Sequence, residues 1–114
     1  MKYLIIILSI LLTACSTGLN KEIDKEYAQR LINHHQSSGQ IDSTLLEKSN
    51  SQKVEHNNYS NYLFIINSFN GDFNGWVYTQ DSTQKPKEIR FLNFYYIKTI
   101  IKKEGKWSQV TGGW

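Results

Sequence analysis

Tyr62-Leu63-Phe64-Ile65-Ile66-Asn67-Ser68-Phe69-Asn70-Gly71-Asp72-Phe73-Asn74-Gly75-Trp76-Val77-Tyr78-Thr79 is the stretch that decides the fold. Tyr62 to Ile66 is aromatic and β-branched, the composition of a strand. Asn70-Gly71 offers two residues that tolerate positive φ, which a two-residue hairpin turn requires. Trp76 to Thr79 then returns. With Asn70-Gly71 as the turn, Ile65 faces Trp76 and Leu63 faces Tyr78, both good cross-strand pairs. A wider loop through Asn74-Gly75 shifts that register, and both arrangements stay open.

Downstream, Gln80 to Lys87 holds the only proline, Pro86, and reads as a connection. From Glu88 to Lys103, Ile89, Phe91, Tyr95, Ile97 and Ile101 alternate with Arg90, Leu92, Phe94, Tyr96, Lys98 and Ile100. A helix can also be drawn through Ile89, Leu92, Tyr96 and Ile100, but aromatic and β-branched residues dominate, so a long curved strand is predicted. Glu104-Gly105 turns the chain, and Lys106 to Thr111 pairs back, bringing Trp107 beside the lysine-rich end. Gly112-Gly113-Trp114 closes the sequence, with Trp114 either loose or packed as a plug.

Upstream, Ser49 to Asn58 is polar without periodicity and is predicted to be a loop. Ile23, Tyr27, Leu31 and His34 follow helical steps, so an amphipathic helix is predicted from Lys21 to about Gln36, capped by Asn20 and stopped by Gly39. Asp42-Ser43-Thr44 starts a second, shorter helix in which Thr44 and Glu47 have capping-box spacing and Leu45 and Leu46 are apolar. The predicted fold class is α+β: an N-terminal amphipathic helix, with or without a second short one, on a curved four-stranded antiparallel sheet. Residues 21–114 form its single domain. A helix followed by four strands, with Tyr95 to Ile101 and Glu104-Gly105-Lys106-Trp107 in the last two, loosely resembles the cystatin-like and NTF2-like α+β folds. That resemblance implies a sheet wrapped round a helix. It does not imply a function, because those folds carry enzymes, ligand binders, inhibitors and assembly factors. Gln109-Val110-Thr111-Gly112 is similar to the Gln-x-Val-x-Gly loop of cystatins, but its valine comes one place early, at the chain end, so protease inhibition is not carried over.

The first residues decide location. Lys2 is basic, Leu4 to Leu12 is apolar apart from Ser9, and small residues follow, the order of a secretory signal. Nine helical residues cover about 14 Å, under half of a bilayer's hydrocarbon core, too short for a stable span. Leu12-Thr13-Ala14-Cys15 resembles the lipobox of bacterial lipoproteins. The resemblance implies removal of residues 1–14, diacylglycerol on the Cys15 thiol and an acyl chain on its new amino terminus. Residues 15–20 then form a short tether, and anchoring by several chains is permanent. Ser16 stands where the resemblance would place an inner-membrane retention aspartate, so the outer membrane, on its periplasmic face, is expected in a two-membrane cell.

About 100 residues remain, enough for one small core. Cys15 is the only cysteine, so lipidation leaves no thiol for a disulfide, a nucleophile or a thiolate metal site. The net charge of +3 hides an asymmetry: residues 15–81 hold five Lys or Arg against eight Asp or Glu, and residues 82–114 hold seven against two. Such a basic block suits an anionic partner such as phospholipid, or the lysines keep a sheet edge from pairing with other chains. The second reading is preferred.

Residues for chemistry are few. Neighbouring His34 and His35 diverge on a helix, and reach one ion with His56 only if the loop folds back. Asp24, Asp42, Asp72 and Asp81 have no paired-carboxylate spacing, and Asn70 to Gly75 lacks the pattern of a calcium loop. No catalytic, cofactor or metal site is expected; the lipid on Cys15 is the only attached group. Tyr95, Tyr96, Trp107 and Trp114 near Lys98, Lys102, Lys103 and Lys106 have the makings of a nucleic-acid platform, but an exported protein seldom meets nucleic acid. Lys98, Lys102, Lys103, Lys106, Trp107 and Trp114 are therefore the candidate interaction surface. The expectation is a non-catalytic envelope lipoprotein that binds another envelope protein as an accessory, inhibitory or immunity factor. The alternative is a small-ligand or lipid carrier with an apolar cavity between helix and sheet.

Overall fold

In a computed structural model, residues 22–57, 60–91 and 95–114 are described. They form an α+β domain with two helices and a five-stranded antiparallel sheet, ordered β1-β2-β3-β5-β4. The expected signal peptide, Cys15 and the expected tether lie outside the described residues.

Helix α1 spans Lys25–Ser38. The Asp24 carboxylate accepts from the backbone N–H groups of Glu26 and Tyr27 at 3.1 and 3.3 Å, satisfying donors that a helix start leaves unpaired. The helix therefore starts four residues later than predicted and is capped by Asp24. Gly39, at φ 76°, ends it and donates its N–H to the His35 carbonyl. The buried stripe also differs from the predicted one: Ala28, Leu31 and Ile32 are fully buried, whereas His34 is exposed. Helix α2 spans Ser43–Lys48, and Asp42, not Thr44, is its cap.

Strand β1, Lys53–His56, lies where the sequence predicts a loop. With one apolar residue in four it has no strand signature of its own, and it exists because β2 offers an open edge. Val54 pairs with Phe64 and His56 with Tyr62. The sheet accordingly has five strands instead of four.

Strands β2, Tyr62–Phe69, and β3, Asp72–Tyr78, are joined by Asn70 at φ 51° and Gly71 at φ 83°, a two-residue turn with both central residues left-handed. Phe69 pairs with Asp72 and Asn67 with Asn74, but a bulge at Ile66 then shifts the register by one. Phe64 thus faces Trp76 and Leu63 faces Val77, in place of the predicted pairs. Gly75 sits at the shift, where a Cβ would run into the Phe64 carbonyl.

A 3₁₀ turn at Pro86–Glu88 follows. Strand β4 covers only Tyr96–Glu104, so the long strand predicted from Glu88 is shorter at its start. Ile89 and Phe91 are buried without belonging to a strand, and residues 92–94 are outside the described set. Strand β5, Trp107–Gly113, returns through Gly105 at φ 63°, with Glu104 paired to Trp107.

Alternation along the strands divides the core between two sheet faces. On one, Ala28, Leu31 and Ile32 of α1 pack on Tyr62, Phe64 and Tyr78, with Leu45, Leu46, Val54 and Trp107 at the margin. On the other, Ile89 and Phe91 pack on Leu63, Ile65, Phe73, Val77, Ile97 and Val110. Among the described residues no helix is long and apolar enough to cross a membrane.

Candidate functional site

The lysine and tryptophan group does not form one surface. Strand β4 is an edge strand with two irregularities in its pairing to β5, between Ile97 and Thr99 and between Ile100 and Lys102. The second places Lys102 opposite Gln109 and Lys103 opposite Ser108, so the two neighbours leave on opposite faces. Lys102 pairs with Glu104 at 3.2 Å on the helix side and lies 5.6 Å from the Trp76 ring. Lys25 of α1 pairs with the same Glu104 and sits 4.4 Å from that ring. Hydrogen bonds from Lys25 and then Lys102 pull the Glu104 pKa below the ordinary glutamate value.

Lys103 donates to the Ser82 carbonyl at 2.7 Å on the other face. Lys98 pairs with Asp72, whose hydrogen bond raises the lysine pKa. Lys106 is exposed in the turn. Trp107 belongs to the core margin, its ring 5.7 Å from Phe64 and 5.1 Å from Tyr78. Two of the four candidate lysines, Lys98 and Lys102, are thus paired with carboxylates along an irregular edge, a form that resists pairing with other chains. The Gln109 to Gly112 segment lies within β5 and forms no loop.

The histidines divide differently from their spacing. His34 is exposed, while β1 brings His56 back to His35 with ring centroids 4.3 Å apart. His35 Nδ1 and the Tyr62 hydroxyl share a hydrogen bond of 2.7 Å. Burial first, then the neighbouring His56 and His34, lowers the His35 pKa; burial first, then Tyr78, raises that of Tyr62. Two imidazoles and a phenol form a titratable cluster on the helix side, but among the described residues no three His, Cys, Asp or Glu groups gather to hold a metal. In the Asn70 to Gly75 stretch, Asp72 is paired with Lys98 and the Asn74 side-chain oxygen accepts from the Asn67 N–H at 3.0 Å.

A third feature escaped the sequence. At the sheet end that carries the β2–β3 turn, Phe69 is 78 % exposed, Tyr96 44 % and Trp114 53 %. Phe69 pairs with Asp72, Asp72 with Gly113 and Gly113 with Tyr96, so one row across four strands sets these rings at the same end. Trp114 is neither loose nor buried: its ring stacks on Phe73 at 6.3 Å and 11° and meets Tyr95 edge-on at 5.6 Å, and its backbone N–H donates to the Gly71 carbonyl. The closing Gly112-Gly113 lets this happen, since a Cβ on Gly112 would strike the Tyr96 carbonyl and the Phe73 ring.

The described chain starts beside the segment that leads into β1. The Glu22 carbonyl accepts from Asn50 Nδ2 at 3.0 Å, and two residues on, Gln52 donates its N–H to the Ile65 carbonyl and accepts from the Ser68 hydroxyl, next to Phe69. Compared with protein-family models, with curated proteins and with solved structures, the chain matches none.

Proposed function

We propose that this protein is an exported lipoprotein, held on the membrane by diacylglycerol and an acyl chain at Cys15. Its non-catalytic domain binds another envelope protein as an accessory, inhibitory or immunity factor. The observation that supports this best is how soon folded structure begins. Glu22 is already tied to Asn50, and Asp24 caps α1 and donates its N–H to the Ser49 carbonyl at 2.9 Å. Six residues lie between Cys15 and Glu22, so the seven steps reach at most about 25 Å. A domain so close to its anchor meets partners at the membrane surface and not at a distance. In a two-membrane cell the periplasmic face of the outer membrane is the proposed site, because Ser16 is not an aspartate.

For the partner, the outer strand β4 offers Ile101, 55 % exposed, between the paired Lys98 and Lys102. An apolar centre with charges at its rim is the ordinary make-up of a transient protein contact. A photo-crosslinking residue at position 101, compared with one at the exposed Asn33 of α1, tests the contact in living cells. A discrete adduct from position 101 alone is the expected result. Adducts from neither would remove the partner, and a small molecule retained through native mass spectrometry would favour a carrier. Metabolic labelling with palmitate, lost in Cys15→Ser, tests the anchor separately.

A further inference from the structure

We infer that the sheet end carrying Phe69, Tyr96 and Trp114 lies against the phospholipid surface, so that the domain stands on the bilayer on its aromatic end with β4 rising away from it. This deepens the proposed function and rests on the Cys15 anchor.

Three observations lead to it. First, Phe69, Tyr96 and Trp114 are three of the five large apolar residues left most exposed among those described, and the register gathers them at one end. Tryptophan and tyrosine at a water-facing edge are the side chains that favour the headgroup region, with an apolar ring and a polar atom to keep wet. Second, the chain enters the domain beside the segment that leads into β1, where Glu22 meets Asn50 and Gln52 meets Ser68, next to Phe69. A tether of about 25 Å or less therefore keeps this end within reach of the bilayer. Third, the end is nearly neutral. Lys98 is paired with Asp72, and Lys53, 5.4 Å from the Tyr95 ring, is paired with Glu55 at 3.0 Å. Docking thus depends on ring insertion and not on lipid charge.

The test uses the full chain, purified in detergent from the cells that process it and reconstituted into phosphatidylcholine vesicles with or without brominated acyl chains. The structure holds three tryptophans, of which Trp76 is 4 % exposed and Trp107 is packed among Phe64 and Tyr78. Trp114 is therefore the one that bromine reaches. The expected result is quenching that falls by about twofold or more in Trp114→Phe and in Phe69→Ser, and that stays the same when anionic lipid is added. Near-ultraviolet circular dichroism shows that each variant keeps its packing. Equal quenching in wild type and Trp114→Phe, or none in either, would overturn the docking. Quenching that appears only with anionic lipid would also overturn it, in favour of lysine attraction. The mass of the N-terminal peptide from the same preparation decides the anchor independently: lipid on Cys15 with a silent Trp114 refutes the orientation alone, and no lipid refutes the anchor.

Discussion

The rings of His35 and His56 lie 4.3 Å apart, although 20 residues lie between them in the chain, because β1 carries the second back beneath the C-terminal turn of α1. Burial and the neighbouring histidines hold the His35 pKa below the ordinary value of 6.5. The unfolded chain therefore takes up a proton at higher pH than the folded one, and folding stability declines as pH falls below 6.5. The decline ends once pH passes below the lowered folded value. Urea unfolding between pH 7.5 and 5 is expected to show a falling midpoint, with a shallower slope in His35→Gln.

Asn61 is fully buried and makes a hydrogen bond with every polar group it has. Its side chain donates to Gln84 Oε1 and accepts from the Gln80 N–H, its N–H donates to Asn57 Oδ1, and its carbonyl accepts from the Asn57 N–H. Asn61→Ala strands the Gln80 donor and is expected to cost about 1–3 kcal/mol in chemical denaturation. A loss well under that would mean water replaces the amide.

Gly75 faces the Phe64 carbonyl where the β2–β3 register shifts. In Gly75→Ala the added methyl meets backbone that cannot swing aside, for an expected loss of about 1–3 kcal/mol. Differential scanning calorimetry would read a melting point lower by roughly 4–8 °C per kcal/mol for a domain of this size. Gly105→Asn, in open space at φ 63°, is expected to lower it far less.

Asp24 caps α1 with hydrogen bonds from Glu26 and Tyr27. Asp24→Ala is expected to remove about 0.5–2 kcal/mol, and Asp24→Asn to restore most of it. Equal losses in both variants would show that the carboxylate's charge, and not its geometry, matters at this position.

How much of this was legible in the sequence depended on the range of the forces involved. Asn70-Gly71 is a local signal, and it fixed the turn. The bulge at Ile66 was not legible, because it depends on what Gly75 lacks on the facing strand. Lys53 to His56 shows no alternation and becomes a strand only by pairing with the open edge of β2. Ile89 and Phe91 do alternate like strand residues, yet they fold as an irregular cover over the second sheet face, where the 3₁₀ turn at Pro86 delivers them. The lysines are close in sequence, but the alternation of β4 sends Lys102 and Lys103 to opposite sides. The exposed aromatic row needed the full register before Phe69, Gly113 and Tyr96 could be aligned.

The hydrogen bond from the Trp114 N–H to the Gly71 carbonyl fixes where anything fused after the last residue must emerge: beside the hairpin tip. If the domain stands on its aromatic end as inferred, a fluorescent protein joined there would be wedged between it and the bilayer. A reporter inserted at the Gly105-Lys106 turn, at the opposite end of β5, would leave that footing untouched, so the choice of labelling position decides whether an imaging experiment sees the native posture.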